Sequence, residues 1–315
     1  PLPRRRCNVP DRRWVNDSNM ADPQSHALHY TLTALFPWRH LENHREYAKL
    51  SSMSVYTLSL LAFSAYLISA GLWTIRQRSG LSSLFPQAFA LIALVAHALI
   101  QGLYWRQNQG PDLHFFAALS WIALAMAALT AVMTAKKQLS ALGVLVYPIA
   151  ALSVLANWQL GVHQPIQLDW RLKLHASLAL LAYASLSIAT LLALLYWLQD
   201  RALRRRHLQL WLGALPPLVQ TEQLLFKTLG ASWLLLTLTL VTGLVFVQDM
   251  LAQHLWHKTV LTALSWLVLL ILLVGRMRYG WRGVRAVHWT LGAMALLALA
   301  FFGSKFALEL ILQRP

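Results

Sequence analysis

The chain has 315 residues, of which 57% are hydrophobic and only 12% are charged, and its mean hydropathy is +0.50. A water-soluble domain of this length carries more charge, so the composition excludes an ordinary soluble enzyme and indicates lipid as the solvent. The formal net charge of +16 would suit a nucleic-acid binder, but the arginines lie between apolar runs. That placement is typical of membrane topology signals, and we expect no nucleic-acid partner.

The first 52 residues differ in character from the rest of the chain. They contain charged stretches such as DRRW and HLENHREYAKL, and they have no apolar run of spanning length. At Met53 the sequence changes to MSVYTLSLLAFSAYLISAGLW, which indicates a natural protein start followed at once by a first span. We therefore predict a non-native or disordered extension over residues 1–52 and a transmembrane domain over residues 53–315.

Apolar windows of spanning length follow one another from there to the C-terminal end. A helix of about 20 residues crosses a hydrocarbon core of about 30 Å, whereas the strands of a membrane barrel are half as long and alternate in polarity. The predicted fold is therefore all-α, a polytopic integral membrane helix bundle. Its eight predicted spans are 55–74, 86–105, 114–134, 140–157, 175–198, 228–248, 259–275 and 287–311.

The Lys and Arg residues of the connections predict the orientation, because cytoplasmic loops carry the excess of these residues. Numbered from the one after the first span, the odd-numbered connections hold thirteen of them and the even-numbered connections hold four. Both termini should therefore face outward in a multi-pass protein of the bacterial inner membrane. The basic residues of the N-terminal extension conflict with that side, which supports treating the extension as non-native.

Histidines are the most informative polar residues, because neutral imidazole is a common axial ligand of haem iron. Most of those after Met53 fall in or beside the outer connections. His97 lies inside the second span, where an ionisable residue is a functional hypothesis by default. His175 opens the fifth span. For both, an iron ligand and a hydrogen-bonded packing residue are equally good interpretations, whereas packing or solvation is favoured for most of the others.

The outer connection LAQHLWHKTVLTALSW brings aromatic rings close to histidines. A porphyrin could stack on Trp256 or Trp266 beside His257, although interface belts explain most of the fourteen tryptophans. The chain contains no GxxxxGK[ST] and no HExxH motif, which argues against an energised pump or a zinc protease. Acidic residues at mid-span are scarce, so an ion-coupled transporter ranks lowest.

Three stretches carry a family resemblance: WRLKLHASLALLAYASLSIATLLALLYWLQDRALRRR, LPPLVQTEQLLFKTLGASWLLLTLTLVTG and HKTVLTALSWLVLLILLVGRMRYGWRGVRA. From about Leu174 onward the chain thereby resembles the cytochrome c assembly family of CcsA/CcmC-type membrane haem handlers, in its HemX/YpjD-like branch. The resemblance implies an inner-membrane bundle whose outer face binds haem, with His175 at the position of a ligand histidine. Members that deliver haem also carry a WGxxWxWD segment and a second outer histidine after the last span, and neither occurs here.

We therefore expect a haem-binding, non-catalytic chaperone or regulator related to cytochrome c assembly factors. Its iron would be held by His97 and His175 or by a single histidine, and His257, Trp256 and Trp266 would also contact the haem. The expected partners are membrane lipid, haem and another membrane or cytochrome-assembly protein. The alternative is a membrane scaffold that has kept the fold, has lost haem and binds another membrane protein.

Overall fold

The computed structural model describes residues 37–79, 82–108, 110–135, 140–161, 168–205, 217–246, 256–303 and 306. The chain forms two units, Pro1–Ser52 and Met53–Pro315, and side chains are described from Ser54 onward. That the first unit is a non-native or disordered extension stays a prediction.

All of the regular elements in the described residues are helices. In chain order they are α1 (Pro37–Ser79), α2 (Leu84–Asn108), α3 (Phe115–Ala135), α4 (Ser140–Leu160), α5 (Trp170–Arg205), α6 (Leu218–Phe246), α7 (Trp256–Tyr279), α8 (Val284–Ala298) and a π-helical turn over Leu299–Gly303. Within the described part of the chain, eight helical segments are long and apolar enough to cross a membrane. The predicted all-α, polytopic membrane fold is therefore confirmed. The outward orientation of both termini stays a prediction.

Helices α5 and α6 extend well beyond the apolar windows that predict them. Helix α5 begins at Trp170 and ends at Arg205, whereas the predicted span is 175–198, and α6 begins at Leu218 rather than at residue 228. A hydropathy window ends where polar side chains begin. The helix continues through them because its backbone hydrogen bonds do not depend on side-chain polarity.

Helix α5 is the central element of the bundle. It packs against α3, α6 and α8, and 56% of its apolar window is buried, against 22% for α6 and for α7. Its buried face contains small residues, including Ala184 and Ala189, which let neighbouring backbones approach closely within a membrane. The hydroxyl oxygens of Ser232 on α6 and Ser185 lie within hydrogen-bond distance across this contact, at 2.8 Å. The close packing places α6 and α8 on either side of α5.

The loop between α7 and α8 is a tight reversal that depends on glycine. Gly280 and Gly283 have φ angles of 63° and 67°, in the left-handed region that side chains with a Cβ rarely adopt. Trp281 folds back over α7, where a Cβ at Gly275 would overlap its indole ring. This geometry gives a physical reason for the GWRG sequence that follows the seventh span.

Glu222 ties the start of α6 to this loop. Its Oε1 accepts a hydrogen bond from Nη1 of Arg276 and another from Nε of Arg282, each at 2.8 Å. The carboxylate side chain is 9% exposed, and the Arg276 guanidinium also lies 4.6 Å from the centre of the Phe226 ring. A nearly buried carboxylate is stabilised only when it is paired and hydrogen-bonded, so these contacts fix α6, α7 and the loop together.

Candidate functional site

A cavity of about 180 Å³ lies between α5, α6, α7 and the end of α8. The cavity lies near the first residues of α5 and α7 and near the last residues of α6 and α8. In the predicted topology these ends of the four helices lie on the outer side of the membrane. The walls are largely apolar, with Tyr183 and Phe301 as the aromatic residues. The polar residues of the lining are His175, Thr239, Lys258, Thr259 and Thr262.

His175 lies on the first turns of α5, and its half-buried imidazole forms one wall of the cavity. Its Nδ1 is 3.1 Å from Oγ1 of Thr242 on α6. Beside it, the backbone of Gly243 passes so close that an added Cβ would lie 3.1 Å from Cε1 of the imidazole. One ring nitrogen is thus engaged by α6. The backbone carbonyl of Thr239, also on α6, forms a further hydrogen bond with the same ring.

Tyr183 lies two turns after His175 on the same face of α5 and connects this helix to the end of α8. Its hydroxyl, which is buried, donates to the backbone carbonyl of Leu297 at the end of α8. Its ring also contacts Phe301 and Phe302 of the π-helical turn, with centroid distances of 6.1 and 5.8 Å. A π-helical turn is often found at a functional site because it changes the direction of the side chains that follow it. Here it brings Phe301 into the cavity wall.

Lys258 brings a cationic side chain to the lining from the first turn of α7. The hydroxyl of Thr262, one turn later, donates to the Lys258 carbonyl at 2.8 Å, so this part of the wall is regular helix. A cation beside apolar and aromatic surface suits an amphipathic ligand that carries an anionic group. The cavity therefore combines an imidazole nitrogen, aromatic surface and an ammonium group.

His97 lies in a different part of the bundle, where both of its ring nitrogens have protein partners. Its Nδ1 is 3.3 Å from the Tyr66 hydroxyl of α1, and its Nε2 is 2.9 Å from Oγ of Ser120 on α3. Gln101 donates to the same Ser120 oxygen at 2.8 Å, and His97 is fully buried. The described residues that line the cavity do not include His97. The structure therefore does not bring His97 and His175 together.

The three predicted contacts from the outer connection are also separate from the lining. Trp256 is 59% exposed, and its ring contacts that of His257 at 6.3 Å. Trp266 stacks on Trp233 at 5.7 Å and donates through Nε1 to the Thr237 hydroxyl at 2.8 Å. None of the three predicted residues is among the described residues of the cavity wall. His163 and His254 lie outside the described residues.

Sequence reasoning missed most of the residues that surround His175. Thr239, Thr242 and Gly243 follow one another at helical spacing on α6, the periodicity that could have assigned them to one face. The sequence does not say which helix that face meets. Within the described residues, no three His, Cys, Asp or Glu side chains form a group that could hold a metal ion. A metal at His175 would have to bring most of its own ligands, as the iron of haem does.

Comparison with known proteins assigns the chain to a family. The sequence model of the family described as cytochrome C assembly protein matches residues 82–312. Inner membrane protein YpjD of Escherichia coli K12 is 31% identical over 264 residues, which cover 80% of this chain and 98% of that protein. An uncharacterized 28.8 kDa protein of Azospirillum brasilense is 33% identical over 141 residues, 44% of this chain and 52% of that protein.

No solved structure matches the chain. The match to an inner membrane protein over most of its length, together with the eight helices of the described ranges that are long and apolar enough to cross a membrane, confirms the prediction of a multi-pass inner-membrane protein. The family resemblance seen in the three sequence stretches is confirmed as well. The chain belongs to the cytochrome c assembly protein family.

Proposed function

We propose that this chain is a haem-binding inner-membrane protein that acts in cytochrome biogenesis as a non-catalytic chaperone or regulator. The observation that carries the proposal is the His175 imidazole at the wall of an apolar cavity between α5, α6, α7 and α8. Membership of the cytochrome c assembly family supports the assignment of haem to that cavity. His175 would be the axial ligand, in agreement with the single-histidine form of the sequence hypothesis.

The residues of the cavity fit the parts of a haem. The imidazole suits the iron, the aromatic rings of Tyr183 and Phe301 suit the macrocycle, and Lys258 suits a propionate carboxylate. When bound, haem supplies an iron centre that accepts a nitrogen ligand on its axis. The protein's own residues hold and orient the haem. In a non-catalytic role they have only to bind it.

The size of the cavity supports handling of haem rather than permanent enclosure. Pockets that enclose a drug-sized ligand have volumes of about 300–1,000 Å³, whereas this cavity measures about 180 Å³. Leu244 lines it and is itself 64% exposed, so part of a bound macrocycle would face the surrounding lipid. A ligand held by one edge can be passed to a partner without opening the helix bundle.

Titration of the detergent-purified protein with ferric haem tests this function. We expect a saturable shift of the Soret band with one haem per chain, because His175 is the one imidazole among the described residues of the cavity wall. Metal-free protoporphyrin, which has the same ring and carboxylates, should bind more weakly because it cannot take an axial ligand. Equal binding of the two porphyrins, or a haem spectrum that the protein leaves unchanged, would show that the iron is not coordinated.

Lys258→Gln should weaken haem binding about tenfold, as expected for the loss of a charge-assisted hydrogen bond. Haem dimethyl ester has no carboxylate, so its affinity should be the same for the wild type and for Lys258→Gln. Lys227→Gln, which removes an exposed lysine of α6, is the matched control and should leave both affinities unchanged. A loss of affinity for the ester as large as that for haem would mean that Lys258 does not bind a propionate.

A second candidate function is a membrane scaffold that binds another membrane protein without haem. It is favoured by the low burial of α6 and α7, whose apolar windows are 22% buried, since such faces are available to lipid or to another helix. The Trp266 ring stacks on Trp233 and is therefore not presented to a porphyrin, which also favours a scaffold without haem. Purification of a stoichiometric membrane partner with no absorbance from haem would favour the scaffold.

A further inference from the structure

We propose that Thr242 is a positioning residue that holds the His175 imidazole in the tautomer with its proton on Nδ1, so that the lone pair of Nε2 is left for a ligand in the cavity. The part of this proposal that concerns iron rests on the proposed function. The tautomer does not, because it follows from the hydrogen bonds of the protein alone.

The number of protons on the Thr242 hydroxyl decides the direction of its bond to His175. The hydroxyl oxygen lies 2.8 Å from the Leu238 carbonyl oxygen and 3.1 Å from that of Thr239. A carbonyl oxygen can only accept, and a hydroxyl has a single proton to donate. That proton is therefore directed to the backbone of α6. The 3.1 Å contact with Nδ1 then requires the imidazole to donate and Thr242 to accept.

Gly243 lets the imidazole reach this position. A Cβ at residue 243 would lie 3.1 Å from Cε1, 3.6 Å from Nδ1 and 3.9 Å from Nε2 of His175. The closest of these contacts is shorter than ordinary van der Waals separation, so the ring would have to move away from α6. Glycine is otherwise unfavourable inside a helix. Its presence beside Thr242 allows the ring to lie against the backbone, within reach of the hydroxyl.

The resulting imidazole has the form that metal coordination requires. A ligating histidine normally donates its second N–H to a nearby acceptor, which fixes the tautomer and the plane of the ring. Thr242 supplies that acceptor, and it does so before any ligand is bound. A neutral hydroxyl, unlike a carboxylate, keeps the imidazole neutral, so the cavity gains a nitrogen lone pair without a buried charge.

The tautomer can be read directly from the ¹⁵N spectrum of the haem-free protein labelled at histidine, with the His175 signals assigned by their loss in His175→Gln. We expect the wild type and Thr242→Ser to have the proton on Nδ1. Thr242→Val and Thr242→Ala, which remove the side-chain acceptor and leave only the Thr239 carbonyl beside the ring, should shift His175 toward a mixture of tautomers. Thr228→Val is the matched control, because the Thr228 hydroxyl donates to a carbonyl of α6 in the same way but lies away from the cavity.

Haem affinity gives the second measurement. Loss of a hydrogen-bond partner behind a metal ligand lowers affinity by about 10–100-fold, so Thr242→Val should bind haem at least about tenfold more weakly and Thr242→Ser should restore binding. If the wild type binds no haem but has the Nδ1 proton, the proposed function fails and the positioning role of Thr242 stands. If the valine and alanine variants keep the wild-type spectrum, the positioning role is wrong, whatever the haem affinity.

Discussion

The His175→Ala variant should lose the Soret band of the haem-loaded protein, whereas His97→Ala should keep it. His175 is the histidine of the cavity wall, and its removal takes away the axial nitrogen. Both nitrogens of His97 are instead within hydrogen-bond distance of Tyr66 and Ser120. A difference spectrum after haem loading, compared with that of His288→Ala, checks the result, because His288 is an exposed histidine of α8.

Added imidazole sharpens this experiment. Removing the His175 side chain leaves room beside Gly243, where free imidazole could bind and restore the band in His175→Ala. The expected effect of His97→Ala is on stability instead, since hydrogen bonds between membrane helices contribute about 0.6–1.7 kcal/mol. Loss of the band in a folded His97→Ala protein would favour the predicted bis-imidazole site, and Tyr66 of α1 and Ser120 of α3 would then have to release His97 on haem binding.

The fold could be predicted from the sequence because the membrane imposes a simple length rule. An apolar run of about 20 residues can cross only as a helix that satisfies its own backbone. The polar extensions were not predictable by this rule. The first turns of α6 hold Glu222, a residue that hydropathy excludes from a span, yet it is stabilised there by Arg276 and Arg282.

The candidate site was predictable only in part. His175 was identified because it opens a span at the position of a family ligand. The predicted role of Trp266 required its ring to point toward the haem site, but in the structure the ring stacks on Trp233. A sequence gives the period of a helix but not the rotation that decides which neighbour a face meets. For the same reason the pairing of His175 with Thr242, 67 residues later, could not be read from local spacing.

Glu222→Gln should destabilise the protein by about 2 kcal/mol, the scale of hydrogen bonds that involve charged groups. The amide oxygen can still accept both hydrogen bonds, but the change leaves the positive charges of Arg276 and Arg282 side by side without the negative carboxylate between them. The side chains of these arginines are 27% and 59% exposed, so solvent and lipid headgroups would reduce the loss below that of a fully buried pair. The loss of stability is measured by thermal unfolding in detergent, with size-exclusion chromatography used to monitor the folded fraction.

The pair of Asp200 and Arg204 provides the matched control for Glu222. It has the same charges at a distance of 3.0 Å, but Arg204 is 74% exposed, and an exposed pair of this kind contributes about 0–1 kcal/mol. Asp200→Asn should therefore change the unfolding temperature far less than Glu222→Gln. In the double variant Glu222→Gln with Arg282→Gln, part of the loss should be recovered because one unpaired cation is removed. Equal effects of the two single variants would mean that Glu222 does not hold α6 to the loop before α8.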